Sequence, residues 1–199
     1  MSQRSRNTVI HACVLAAGSA ERFGATKLVQ PLHGKPLVLH ALEAAQQAFP
    51  GELTLVVGHD RDAVIAAADG AYDRLVFNPA YRSGIGSSIA AGVNACREGA
   101  DAVVILLADQ PLVSSAHLHE LACRWSGARN EIVASTFDEV FSPPILFPTN
   151  AFAALAELSG DEGAKMLLQD AAFEVRSISI PQAASDVDTP EDLQELNDT

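Results

Sequence analysis

The stretch "VLAAGSAERFGATK" (residues 14–27) changes character at Gly18. Four aliphatic or small residues lead in, and the ten residues 18–27 hold two glycines, an arginine and a lysine with hardly any hydrophobic periodicity. An apolar run that stops at a glycine reads as a strand entering a turn. Loops this long between a strand and a helix are uncommon unless they bind something. Gly18 and Gly24 expose backbone N–H groups that can converge on an anion, Arg22 offers a planar fork, and Lys27 a point charge. The spacing fits neither the GK[ST] of a P-loop nor G-x-G-x-x-G. The shared physics still points to phosphate.

Working outward, strands and helices take turns. Strands are expected at "TVIHACVL" (8–15), "LTLVV" (53–57), "RLVF" (74–77), "AVVILL" (102–107) and "EIVAS" (131–135), all buried on both faces. Helices are expected at "PLVLHALEAAQQA" after Pro36, "RDAVIAAA" after Asp60, "GSSIAAGVNAC" near Gly86 and "SSAHLHELACRW", capped by its serines. Such alternation means βαβ units and a mainly parallel sheet covered by helices, an α/β class. "SPPILFPTN" (142–150) carries three prolines and suits a short edge or antiparallel strand. Helices at "NAFAALAEL" and "DEGAKMLLQD", a strand at "FEVRSISI" and a helix begun by Pro190 complete the pattern. Neither linker nor repeat interrupts it, so residues 1–199 read as one domain behind a flexible N-terminus at 1–7.

Composition narrows the function classes. A 199-residue chain that is 48% hydrophobic and 19% charged can bury a substantial core. Its formal net charge of -12 argues against a general grip on nucleic acid or an anionic membrane, so an anionic ligand must be met locally. Three scattered cysteines fit neither a disulfide framework nor a zinc spacing, and a cytoplasmic location is the expectation. No apolar run approaches the length of a membrane span.

In open α/β sheets ligands sit beyond the carboxyl ends of the strands. Besides residues 18–27, those ends carry Gly58 and His59, "NPAYRSGIGSS" (78–88) and "ADQP" (108–111). Asp109, directly after an apolar strand, is costly to bury without a partner such as a metal ion, and magnesium is the first candidate near phosphates. In "SDVDTPED", Asp186 and Asp188 alternate about Val187 and share a face if extended. Helix capping by Asp188 or Thr189 accounts for one of these acids, not both. The helix start near Gly86 presents N–H groups and a positive dipole end towards the same edge. His117 and His119, two apart on a helix, do not form a metal pair, and His11 and Cys13 read as core.

"LAAGSAERFGATK" resembles the opening block of nucleotidyltransferases, L-A-[AG]-G-x-S-x-R-[MF]-G-x-x-K. "NPAYRSGIGSSIAAG", "LLADQPLV", "LSGDEGAKMLL" and "DVDTPEDL" resemble, in order, the further blocks of the MobA-like group that builds molybdenum cofactor dinucleotides. The resemblance runs over about residues 14–196. It implies a three-layer α/β/α Rossmann-like nucleotidyltransferase fold with a mainly parallel mixed sheet. Alanine at position 17 resembles the cytidylyltransferase branch, where the guanylyltransferase branch has a second glycine.

The activity so implied is magnesium-dependent transfer of CMP from CTP to the terminal phosphate of molybdopterin, with release of pyrophosphate. The resemblance assigns Arg22, Lys27 and Asp109 to catalysis, and Asp109 with Asp188 to the metal. It assigns Leu15, Ala16, Ala17, Gly18, Ser19, Lys27, Gly58, Asn78, Ser83, Gly86, Ser87 and Ser88 to the nucleotide. Gln110, Pro144, Gly160, Asp161 and Asp186, with Lys165 as a further contact, fall on the acceptor side. Partners would be CTP, or another nucleoside triphosphate, the phosphorylated acceptor and a client molybdenum hydroxylase. The chain departs from the group where relatives carry Gly-His-Pro: here stand Ser142, Pro143 and Pro144, preceded by Asp138 and Glu139 without an arginine. Three alternatives therefore stay open: another phosphorylated acceptor, a cofactor-delivery protein for a molybdenum hydroxylase, and a redox enzyme on the same scaffold.

Overall fold

A computed structural model describes residues 8–19, 23–161 and 163–199. The expected flexible segment 1–7 and Arg22 lie outside the described residues. The strands are β1 (Ile10–Ala16), β2 (Pro31–Leu32), β3 (Lys35–Pro36), β4 (Leu53–Val57), β5 (Arg74–Phe77), β6 (Ala102–Leu107), β7 (Glu131–Phe137), β8 (Val140–Pro148) and β9 (Glu174–Ser179). The helices are α1 (Leu37–Ala48), α2 (Arg61–Ala68), α3 (Ile85–Cys96), α4 (Ser115–Arg124), α5 (Phe152–Ala156) and α6 (Pro190–Asn197).

Seven strands form one sheet in the order β5-β4-β1-β6-β8-β7-β9. β5, β4, β1 and β6 run parallel, β8 runs antiparallel to β6 and β7, and β9 runs parallel to β7. From β1 the chain builds outward through β4 to β5, then returns to add β6 on the other side of β1. That reversal makes the gap between the carboxyl ends of β1 and β6 the topological switch point, where such sheets hold ligands. Gly18 follows one of these strands and Asp109 the other.

The two-residue alternation of the strands sorts their side chains between two apolar layers. Ala12, Val14, Val104 and Leu106 face the layer built with α1, α4 and α6, where Leu42, Leu118 and Leu193 pack. Cys13, Leu15, Val103 and Ile105 face the layer of α3 and α5, with Ile89, Val93 and Leu155. Burying each of the valines, leucines and isoleucines contributes roughly 1.5–3 kcal/mol. Gly92 lets α3 approach β1 closely, since a Cβ there would lie 2.2 Å from Cys13 Sγ. The expected α/β/α layering is therefore present.

Four expectations need correction. β5 is an edge strand rather than one buried on both faces: Leu75 is 40% and Phe77 44% exposed, and the Arg61 guanidinium covers the Phe77 ring at 4.6 Å. The proline-rich segment is antiparallel as expected, yet β8 is long and lies inside the sheet. It tolerates its prolines because the β7–β8 register shifts between Ala134 and Ser135, opposite Pro143 and Pro144, beyond the Ile105–Ile145 pair with β6. Pro148 falls at the strand's last residue. "DEGAKMLLQD" forms a 3-10 turn over Gly163–Leu168 instead of an α-helix, and Gly163 has a φ of +56°. "NAFAALAEL" shortens to a 3-10 turn over Thr149–Ala151 followed by the five-residue α5. The β2–β3 hairpin went unread, its strands being only two residues each.

Candidate active site at the switch point

Asp109 sits two residues beyond β6, and its backbone carbonyl accepts a hydrogen bond from Val187 N–H at 3.0 Å. Val187 is fully buried, so the 186–188 segment is pinned beside Asp109 by packing as well as by that bond. The start of α6 is satisfied separately. Thr189 Oγ1 accepts from Asp192 N–H at 3.2 Å, and Asp192 Oδ2 accepts from the N–H groups of Asp188 and Thr189. Thr189 is the cap, which leaves the Asp188 carboxylate to point elsewhere.

It points at Lys27. The ammonium donates to Asp109 Oδ2 at 2.6 Å and to Asp188 Oδ1 at 3.2 Å. The side chains are 13%, 22% and 34% exposed for Lys27, Asp109 and Asp188 respectively. Burial presses the ammonium towards its neutral form, but the two carboxylates, Asp109 foremost, outweigh this and raise the Lys27 pKa above its ordinary value. Asp109 Oδ1 is buried and has no hydrogen-bond partner among the described residues. Burial pushes the nearby Asp186 carboxyl up; Gln110 opposes this by hydrogen bonding, while the negative charges of Asp109 and Asp188 reinforce it.

Three adjoining hollows follow the sheet edge. The first, about 580 Å³, lies between the Gly24–Thr26 turn and His59, Asp60 and Arg82. The second, about 520 Å³, is lined by Leu15, Ala17, Gly18, Ser19, Tyr81, Arg82, Gly84, Ser88, Asp109 and Asp161. The third, about 330 Å³, is walled by Ile85, Ile89, Ile105, Leu107, Phe141, Pro143, Ile145 and Phe147, with Asp161, Lys165 and Asp186 among its lining residues. Ser19 and Arg82 line both the first and the second, and Ile85, Leu107 and Asp161 both the second and the third. The groove is therefore continuous across the switch point.

Leu15, Ala17, Gly18, Ser19, Ser88, Asp109 and Asp161 line the central hollow, and Lys27 borders it through Asp109. Others act from behind it. Asn78 is buried and donates to Ser87 Oγ at 2.9 Å and Ser88 Oγ at 3.0 Å, while its own oxygen accepts from Ala80 N–H. Ser83 and Ser87 hydroxyls donate to the Ala80 carbonyl. Ala16 ends β1 in the core. A Cβ on Gly58 would lie 2.6 Å from Tyr81 Cβ and 2.8 Å from the Ala17 carbonyl, so this glycine allows the two loops to meet.

The expected free amide at Gly86 is corrected: its N–H donates to the Gly160 carbonyl at 3.0 Å. Gly84 allows that junction, with a φ of +111° and a position where a Cβ would be 2.3 Å from Gly160 C. On the acceptor side, Gln110 is buried and donates to the Ala183 carbonyl at 2.9 Å, and Pro144 is buried in β8, whereas Ser142 and Pro143 face the hollow. Reading the sequence missed Tyr81 and Arg82. Arg82 Nε donates to Tyr81 Oη at 3.2 Å, its guanidinium lies 5.6 Å from the ring centroid, and the His59 ring is 5.9 Å from that of Tyr81. Their signal was their place after β5, inside a segment read only for Asn78 and for its serines and glycines.

Among the described residues no group of three or more His, Cys, Asp or Glu side chains is placed to hold a metal ion. The donors that do meet are Asp109, with a buried oxygen that has no partner among the described residues, and Asp188. One or two carboxylates completed by phosphate oxygens and water is how magnesium is usually held, so the residues fit that ion. No described helix is long and apolar enough to cross a membrane.

Comparison with known proteins agrees with this fold. The MobA-like NTP transferase domain model matches residues 12–176. Purine catabolism protein PucB of Bacillus subtilis is 32% identical over 89% of this chain and 91% of its own. Nicotine blue oxidoreductase of Paenarthrobacter nicotinovorans is 30% identical over 92% of this chain and 94% of its own. Among solved structures, Rv0371c of Mycobacterium tuberculosis in complex with manganese superposes with a TM-score of 0.77 at 28% identity, over 96% of this chain and all of that one.

Proposed function

Because the chain belongs to the MobA-like NTP transferase family, we propose that it works as one cytoplasmic nucleotidyltransferase domain, moving CMP from CTP to the terminal phosphate of molybdopterin and releasing pyrophosphate. The observation that carries the reading is the meeting of Lys27, Asp109 and Asp188 between the Gly18 loop and the end of β6. In such a transfer the acceptor phosphate attacks the α-phosphorus in line and pyrophosphate leaves, so the protein's task is positioning and charge neutralisation.

The small residues Ala17, Gly18 and Ser19 allow a nucleotide to approach the backbone closely, and Arg82 adds a cation shared by two hollows. Lys27 is proposed to pass to the phosphates, since its ammonium is bonded to Asp109, which lines the central hollow. Arg22 is proposed as a second phosphate ligand on the family resemblance alone. Magnesium held by Asp109 and Asp188 would neutralise charge on both phosphates and align them. The third hollow, next to Asp186, is where the organic body of the acceptor would lie, and a molybdenum hydroxylase is the proposed client for the product.

A redox reading has one observation in its favour, the name of the Paenarthrobacter relative. Both readings are tested by offering the protein magnesium and each nucleoside triphosphate, with and without molybdopterin, and measuring pyrophosphate; NAD(P)H oxidation is followed in parallel. The proposal expects pyrophosphate with CTP and molybdopterin together. Pyrophosphate from no triphosphate, or NAD(P)H turnover in its place, would reject it. Ala17→Gly should shift the preference from CTP towards GTP by roughly a few-fold, and an unchanged ratio would remove Ala17 from base selection.

A further inference from the structure

Lys27 stands in an unexpected place for a phosphate ligand. Its ammonium bonds both carboxylates that the metal reading needs, and it is the most buried member of the trio. Asp109 Oδ2 and Asp188 Oδ1 are thus engaged by a charge of the same sign as the cation they would bind. A divalent ion entering between them meets that charge at close range, in surroundings that screen it far less than bulk water. Of the other carboxylate oxygens, Asp109 Oδ1 is buried with no hydrogen-bond partner among the described residues.

We propose that Lys27 acts as an exchangeable counter-ion. It closes the Asp109–Asp188 pair to a free divalent cation and gives the pair up only when a triphosphate takes over its ammonium. This rests on the reading of the site as a metal-dependent nucleotidyltransferase. The exchange conserves charge balance: the ammonium moves from two carboxylates to phosphate oxygens, and the cation that arrives with the triphosphate takes its place. Metal and nucleotide then bind as a linked pair, and the site does not hold a metal ion of its own between turnovers. Linkage requires the effect to be reciprocal, so removing the ammonium must raise affinity for the metal alone.

The test is a titration with Mn2+ alone, followed by the electron paramagnetic resonance signal of the free ion, on the full chain without nucleotide. Lys27→Met should bind Mn2+ at least about tenfold more tightly than the unaltered protein. Lys27→Arg, which keeps the charge, should stay near the unaltered value, and adding Asp109→Asn to Lys27→Met should abolish the gain. Lys27→Gln serves if the methionine variant fails to fold, as judged by circular dichroism. Equal or weaker Mn2+ binding by the neutral variants would overturn the proposal, as would a gain that survives Asp109→Asn or no uptake by any protein. None of these results depends on turnover. A protein that releases no pyrophosphate yet shows the Lys27→Met gain would retain the counter-ion and lose the transferase reading.

Discussion

Over the end of β1 the groove is floored by Ala17, Gly18 and Ser19, whereas over β6 and β8 it is walled by Ile105, Leu107, Pro143, Ile145 and Phe147. The first region offers main-chain groups and room for close approach, which suits a ligand read by its polar edge and phosphates. The second offers side-chain surface with polar groups only around it, which suits a bulky organic body. Between them stand Asp109, Asp188 and Lys27. The difference teaches that one end of the site is shaped by what its side chains lack and the other by what they fill, with the charge gathered at the seam.

Breaking the seam should cost most. Asp109→Asn keeps the shape but halves the carboxylate pair, and turnover should fall by at least about a hundredfold, with the melting temperature little changed. Measured pyrophosphate release near the unaltered rate would remove Asp109 from the chemistry.

Joining the two regions depends on the Gly84–Gly160 contact. Gly84→Ala places a Cβ 2.3 Å from Gly160 C at a φ of +111°, so destabilisation of about 2–4 kcal/mol is expected by urea unfolding. A cost below about 0.5 kcal/mol would mean that the 160 segment moves freely relative to α3.

Altering one wall should separate the regions kinetically. Pro143→His puts a larger, polar side chain into the wall of the third hollow, and the KM for the acceptor should change by roughly fivefold while that for CTP holds. A change confined to CTP would reverse the assignment of the two ends.

The smallest effect concerns Asp186. Its carboxyl pKa is raised, chiefly by burial, so the folded state binds a proton more readily than the unfolded chain. Stability attributable to this group therefore falls as pH rises from the ordinary carboxylate value through the raised one. Asp186→Asn should be more stable than the parent at neutral pH by roughly 0.5 kcal/mol or less, given the solvent access of this side chain. The gain should vanish under acid conditions below the ordinary carboxylate range. A stabilisation of equal size at both ends of the pH scale would contradict the electrostatic cause.

The backbone-built region was legible in the sequence because glycines, a strand end and helix periodicity are local signals. β4, β5 and β6 fall on the expected residues, and α6 begins at Pro190 as its cap predicts. The wall region was harder to read because its determinants are long-range. The position of β8 inside the sheet depends on pairing with β6, forty residues earlier in the Ile105–Ile145 pair, and local proline content argues the opposite. The 3-10 turn at Gly163–Leu168 likewise reflects a glycine at positive φ, not its helical composition. Within the site, Asp109 and Asp188 announced themselves by position after a strand and before a capped helix. That Lys27 would bond both is a fact of three dimensions, carried by the Val187–Asp109 backbone contact.

The central claim is that the seam at Lys27, Asp109 and Asp188 transfers a nucleotide. Its most direct test is to incubate the protein with magnesium, molybdopterin and CTP labelled at the α-phosphorus, and to follow the label. The label should pass into a molybdopterin cytosine dinucleotide with the unaltered chain and stay in CTP with Asp109→Asn. Label that never leaves CTP, or that leaves it equally in both proteins, would contradict it.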